Sequence, residues 1–244
     1  MIPMLIGLLD ATSGDNSVVS EKTVSRVIKL LDTCLVRGRI AGWGNSGLMG
    51  TYWPLASKEW KHKKKPYEYG DPEAIKARLL GNRNLSIASL DNESIESWFR
   101  DPVYKPKIES FKYILYVLEA AGRNNDPLPD YFMWNQGEIK SGTSVEHIYP
   151  QKPAKGTYPK FISEDDKEKV GRPGNLTLLT MKEQRDASNY DYKTKLKVYE
   201  TSLFNISKSV SQDYTSDWSP EYINKRGDEL LDLILNQWPE PESI

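Results

Sequence analysis

The stretch Val145-Glu146-His147-Ile148-Tyr149-Pro150-Gln151 constrains this chain more than any other. A short β-like run carries a carboxylate and an imidazole side by side, and Pro150, which has no backbone N–H to give, closes the run. Downstream, Gly174-Asn175 reads as a turn into a second apolar run, Leu176-Thr177-Leu178-Leu179, with Gly174 expected to supply a positive φ. A polar, helix-starting stretch follows from Gln184 to Asn189. Two short strands and a helix in an otherwise helical chain predict a mainly α protein with a small β insert.

Helical periodicity dominates elsewhere. Residues Glu21 to Val36 put Val24, Val27, Ile28, Leu31 and Leu35 on one face, with Ser20 in the N-cap place. Gly38 to Gly50 reads as a glycine-rich loop. Tyr52 to Trp60, Pro72 to Leu80 and Asp91 to Phe99 read as shorter helices. Ser110 to Ala121 carries Phe111, Ile114, Leu115 and Leu118 at helical spacing and stops at Gly122. Strands are expected over Ser144–Tyr149 and Leu176–Met181, joined by a polar loop from Gln151 to Arg172. A helix is expected from about Ser188 to Tyr199. A last helix follows Pro220, with Ile223, Leu230, Leu231, Ile234 and Leu235 on its stripe. There is no internal repeat.

Composition narrows the class. The net charge of −1 means that any nucleic-acid contact must come from a local basic face. The lone Cys34 excludes an internal disulfide framework and a cysteine-cluster zinc site, and its place in an amphipathic pattern reads as a core thiol. This fits a reducing cytoplasm. The apolar start, Met1 to Leu9, lacks a basic lead, contains Pro3 and is too short to span a bilayer; it reads as a core helix, with no membrane segment expected.

The residue types at the two strands suit one chemistry. Hydrolysis of a phosphodiester needs a water to attack, a base to deprotonate it, and positive charge on the phosphorane and leaving oxygen. A neutral imidazole serves as base near pH 7. A divalent cation held by hard oxygen ligands, Mg²⁺ or Mn²⁺, supplies the charge. Glu146 and His147 can divide these roles if the chain bends at Pro150, since neighbours in a regular strand face opposite ways. Taken alone, the pair also reads as a surface acid beside a surface histidine.

The ordered set Glu-His-Ile-Tyr-Pro-Gln, Gly-Asn-Leu-Thr-Leu-Leu, then Ser188-Asn189, Tyr192, Lys195 and Tyr199 resembles the HNH nuclease domain at the C-terminus of GmrSD-like, modification-dependent (type IV) restriction proteins. Ser202, Phe204, Trp218, Ile223, Arg226 and Leu230 in the tail, and Val36-Arg37-Gly38-Arg39-Ile40 in the first half, extend the likeness over most of the chain. The resemblance implies a ββα-metal insert at residues 136–205, between a helical subdomain at 1–135 and a helical tail at 206–244 that pack around it. It implies that His147 is the general base, Glu146 a metal ligand and Asn175 the brace of the loop that orients the imidazole. A similar acid–His–Ile–x–Pro–Gln string opens the HNH domain of RNA-guided CRISPR nucleases, with Asp as the acid. The implied activity is a Mg²⁺- or Mn²⁺-dependent DNA endonuclease or nickase, the effector part of an anti-phage restriction protein. Its implied partners are DNA, phage-derived or modified, and an N-terminal nucleotide-dependent sensor domain on a longer chain or a partner subunit. No P-loop pattern for such a sensor is present in these residues.

The chain departs from that family at Gln184, where the pattern has Asn. Gln keeps the amide carbonyl that can ligate metal, with one more rotor to order; Asp186 or Asn189 is the substitute. Asn189 reads either as a ligand or as a helix-start residue. Lys195 reads as a contact to the scissile phosphate, a charge neutralising the site, or a solvated helix residue. Basic candidates for the DNA backbone are Lys61, Lys63 and Lys64, in the run that starts at Trp60 and includes His62, together with Lys152, Lys155, Arg172 and Arg185. Lys160 belongs with them, offset by Glu164, Asp165, Asp166 and Glu168. The alternative to an active nuclease is a decayed centre that binds DNA or a protein without cutting.

Overall fold

The computed structural model describes residues 20–41, 73, 76–77, 90–100, 105–123, 142–156, 158 and 164–244. The expected Met1–Leu9 and Tyr52–Trp60 helices, the basic run holding Lys61, Lys63 and Lys64, and Lys160 lie outside them. The elements in chain order are α1 (Glu21–Ile40), α2 (Asn92–Arg100), α3 (Lys105–Gly122), β1 (Thr143–His147), α4 (Glu164–Lys169), β2 (Leu176–Thr180), α5 (Met181–Ala187), α6 (Tyr192–Glu200), α7 (Asn205–Asp213) and α8 (Pro220–Gln237). Short 3₁₀ turns occupy Pro173–Asn175 and Pro241–Ser243. The described residues are thus mostly helical, with one small antiparallel sheet among them. No described helix is long and apolar enough to cross a membrane. The chain forms two compact units, residues 1–98 with 238–244, and residues 99–237.

In the first unit, Ser20 Oγ accepts the Thr23 N–H at 3.2 Å and starts α1 as expected. The buried face runs through Val24, Val27, Leu30, Leu31 and Cys34. Ile28 lies off its edge and is exposed, which corrects the expected stripe. Gly38–Ile40 continue the helix rather than opening a loop. Their turn is fixed by the buried Arg37, which donates to the carbonyls of Trp238 (2.7 Å) and Leu90 (2.5 Å) and to Asn92 Oδ1 (2.7 Å). Burial pushes the Cys34 thiol up to about 12, so it is an inert core group.

In the second unit, all five residues of β2 are buried, covered by α3, α5 and α7. β-Branched and leucine side chains suit a strand enclosed in this way. An aromatic cluster of Tyr149, Tyr158, Tyr192, Tyr199, Tyr214 and Trp218 forms the core between the strands and the tail helix. The α5 helix begins at Met181, earlier than the polar pattern implied. A capping box explains this: Thr180 Oγ1 accepts the Glu183 N–H at 3.1 Å, and Glu183 Oε2 accepts the Thr180 N–H at 2.7 Å. The helix expected from about Ser188 to Tyr199 is α6, which starts later, at Tyr192, after a tight turn at residues 188–191. The expected loop from Gln151 to Arg172 contains α4, and α7 is a further helix absent from the periodicity reading.

Gly174 has no positive φ; Gly156 has, at 83°. Gly174 is required instead by proximity. A Cβ there would lie 1.9 Å from the Ile223 carbonyl oxygen and 2.7 Å from the Gly227 nitrogen, so α8 presses directly on this turn.

Candidate active site

β1 and β2 pair with Glu146 opposite Thr177 and His147 opposite Leu176. Glu146 points into the protein and is 6% exposed. Lys195, from the middle of α6, is fully buried, and its ammonium donates both to the Glu146 carboxylate and to the His147 carbonyl, the latter at 2.7 Å. One cation therefore holds the side chain of the acid and the backbone of the histidine. The Gln184 side chain lies near enough to Glu146 to help hold its carboxyl down. The Glu146 carboxylate, the His147 backbone carbonyl and the Lys195 ammonium thus meet at one point, with Gln184 close by; the His147 imidazole meets Gln151.

The segment after His147 is braced. Asn175 is wholly buried and makes four side-chain hydrogen bonds to three residues: its Oδ1 accepts the Tyr149 N–H (2.8 Å) and the Trp218 indole N–H (2.9 Å), and its Nδ2 donates to the carbonyls of Tyr149 (2.9 Å) and Val170 (2.8 Å). Its own carbonyl accepts the Ile148 N–H at 2.9 Å. The Tyr158 hydroxyl donates to the Ile148 carbonyl at 2.9 Å. Buried Arg226 of α8 donates to the carbonyls of Gly174 (2.8 Å) and Leu176 (2.7 Å). These contacts satisfy backbone groups where strand becomes bend, which would otherwise be buried unpaired. Trp218, Arg226 and Tyr158 had no assigned role in the sequence reading. The first two appeared there only as residues of the family pattern.

Electrostatics follow from burial. Loss of hydration raises the Glu146 carboxyl, opposed by the Lys195 ammonium and the Gln184 amide. The same loss lowers Lys195, opposed by Glu146. For each ion, desolvation outweighs the partner's attraction. His147 is pushed down to about 4, first by burial and second by Lys195. Its imidazole is therefore uncharged at neutral pH. The Gln151 side-chain amide lies 3.2 Å from His147 Nε2, within hydrogen-bond reach of the imidazole. Gln151 was part of the motif but had no role in the sequence reading.

The other candidates lie further out. Asn189 is exposed on the turn between α5 and α6, and Lys152, Lys155 and Arg185 are exposed. Arg172 is half-buried, and its guanidinium donates to Asn224 Oδ1 at 3.3 Å. Among the described residues no three His, Cys, Asp or Glu side chains form a metal cage. A divalent cation here would rely on Glu146 and the Gln184 amide oxygen, hard donors of the kind Mg²⁺ takes while keeping several waters. The donor set therefore fits, with the Lys195 ammonium competing for the same carboxylate.

The sequence pattern of the C-terminal domain of GmrSD restriction endonucleases matches residues 88–233, well over half of the chain. The chain belongs to this family. Glu146, His147, Asn175, Gln184, Lys195, Trp218 and Arg226 all fall inside the GmrSD match, and the Lys61–Lys65 run falls outside it. No curated protein matches the chain. Membership of a restriction-endonuclease family points to DNA as the molecule acted on.

Proposed function

We propose that the chain is a metal-dependent DNA endonuclease or nickase of HNH type, with His147 as general base, acting as the effector part of a modification-dependent restriction system. The carrying observation is the Glu146–Lys195 pair, with Gln184 beside it and Lys195 also holding the His147 carbonyl, at the end of β1 in a GmrSD-family chain. In this reading the neutral imidazole takes the proton of the attacking water, while the water oxygen bonds phosphorus and the bond to the 3′ oxygen breaks. Solvent protonates the departing oxygen, leaving 5′-phosphate and 3′-hydroxyl ends. Glu146 and Gln184 would hold a Mg²⁺ or Mn²⁺ ion, which when bound supplies positive charge to the phosphorane and the leaving oxygen. Lys195 fixes the His147 carbonyl and Asn175 fixes Tyr149, so the imidazole keeps one position through the reaction. That positioning lowers the entropic part of the barrier. Lys152, Lys155, Arg172 and Arg185 would contact the DNA backbone. Location in the cytoplasm and control by an N-terminal sensor on a longer chain or a partner belong to the same proposal.

Plasmid nicking with Mg²⁺ or Mn²⁺ against EDTA tests it. His147→Ala is expected to lose roughly 10²–10⁴-fold in rate. A His147→Ala protein that nicks as fast as the parent sinks the assignment. The competing reading is a binding module without catalysis, favoured by Lys195 sitting on the carboxylate that a metal would need. Calorimetric titration with Mn²⁺ separates the two, because only an active centre takes up metal in a manner lost in Glu146→Ala.

A further inference from the structure

Tyr190 is 56% exposed. Among the described residues it is the one exposed tyrosine; the others are buried or half-buried. It sits on the turn between α5 and α6, beside the exposed polar residues Ser188 and Asn189. Ser188 there adopts φ 41° and ψ −145°, a region that residues with a Cβ avoid. The conformation is held by the Ser188 N–H on the Gln184 carbonyl (2.8 Å) and the Tyr190 N–H on the Ala187 carbonyl (3.4 Å). Backbone strain of this kind persists where the surroundings enforce it, and it gathers at functional segments.

The place of the turn gives it meaning. Gln184 lies four residues before Ser188, and Lys195 lies four residues after Asp191, whose carbonyl accepts the Lys195 N–H at 3.1 Å. Both side chains reach Glu146. The turn therefore stands one helical turn, about 5–6 Å along each axis, beyond the two groups that converge on the carboxylate. The stretch from Lys182 to Lys193 is formally neutral, but its exposed charges are mostly cations. Lys182, Arg185 and Lys193 are exposed, whereas the carboxylates of Glu183 and Asp191 accept backbone N–H groups as helix caps, leaving Asp186 as the one exposed acid between residues 182 and 193. An exposed ring beside exposed Lys and Arg side chains and hydrogen-bonding Ser188 and Asn189, one helical turn from the Glu146–Lys195 pair, has the composition of a nucleic-acid stacking platform rather than of an apolar protein contact.

We propose that this turn is a DNA contact in which the Tyr190 ring stacks on a base of the strand being cut, next to the phosphate that reaches His147. The inference rests on the DNA-cleaving reading given above. It is tested by fluorescence anisotropy with labelled single-stranded and duplex oligonucleotides, in a His147→Ala background so that binding is read without cleavage. Tyr190→Ala is expected to weaken binding roughly 5- to 100-fold, while Tyr190→Phe, which keeps the ring, stays within about twofold. In the chain with His147 intact, Tyr190→Ala should raise KM and leave kcat nearly unchanged. Unaltered binding by Tyr190→Ala, or equal losses in the Ala and Phe variants, overturns the stacking role. The two readings fail separately. A parent chain that binds through Tyr190 but never nicks removes the nuclease and keeps the platform, and one that nicks indifferently to Tyr190 does the reverse.

Discussion

Replacing Lys195 by methionine removes the ammonium that bridges Glu146 and the His147 carbonyl while keeping most of the side chain's volume. Glu146, 6% exposed, is left without its cation. Stranding one member of a buried pair costs about 3–5 kcal/mol. Glu146 can lessen that loss by taking a proton. The cost of staying neutral is about 1.4 kcal/mol for each pH unit above the unfolded value of about 4.3. At pH 5 this comes to about 1 kcal/mol, and the lost bond to the His147 carbonyl adds about 1 kcal/mol. At pH 8 the proton route costs about 5 kcal/mol, close to the cost of the stranded charge. The sign follows from proton counting. The folded variant, with its Glu146 pKa raised further, binds more protons than the unfolded chain, so its stability falls as pH rises. Urea denaturation followed by tryptophan fluorescence should therefore show a loss of about 2 kcal/mol at pH 5 and about 4–5 kcal/mol at pH 8. The double variant Glu146→Gln with Lys195→Met should recover about 2 kcal/mol or more at pH 8 and lose the pH dependence, since no charge remains to be stranded. A Lys195→Met loss below about 1 kcal/mol at both pH values, or a double variant no better than the single one at pH 8, refutes the buried pair.

Gly174→Ala drives a methyl into the Ile223 carbonyl and should destabilise by about 3 kcal/mol or more, read from the urea midpoint. A positive-φ role alone would predict tolerance of Asn, so Gly174→Asn should be at least as damaging as Ala. Asn175→Ala removes four hydrogen bonds and leaves the Trp218 indole and the Tyr149 amide buried without that acceptor, a loss of about 3 kcal/mol. Nicking, measured where the variant remains folded, should fall as well, and an Asn175→Ala protein of full stability contradicts the bracing role.

The elements that could be read in the sequence are those whose cause is local. β2 is an apolar run between turn residues, and β1 is a short run closed by Pro150. α1 has its own cap in Ser20, and α8 starts at Pro220 with a clean stripe. The elements that were missed owe their existence to distant residues. α7 begins at Asn205 behind Phe204, which has no capping oxygen, and the cap comes from Glu119 of α3. Its carboxylate accepts the N–H groups of Asn205 (3.0 Å) and Ile206 (2.8 Å). The early start of α5 was the exception, because Thr180-x-x-Glu183 is a local signal present in the sequence. At the site, adjacency on the chain exposed Glu146 and His147. The partners that orient them, 26 to 49 positions away, do not show themselves by spacing. Lys195 illustrates the difficulty: nothing in its neighbours distinguishes a buried counter-ion from a solvated lysine. Burial decides between them, and burial is a property of the assembled unit.

The close fit of α8 against the Gly174 turn bears on when such a centre comes into being. The residues of the chemical motif have all been synthesised by Lys195, yet Asn175 Oδ1 gains its second donor only from Trp218, and the Gly174 and Leu176 carbonyls gain theirs only from Arg226. A nascent or truncated chain that stops before Trp218 thus carries every reactive group on a loop whose anchors have not been made. The anchors of this turn therefore come from a segment that follows the motif by more than twenty residues, so the local order of the motif depends on a part of the chain that carries none of its chemistry.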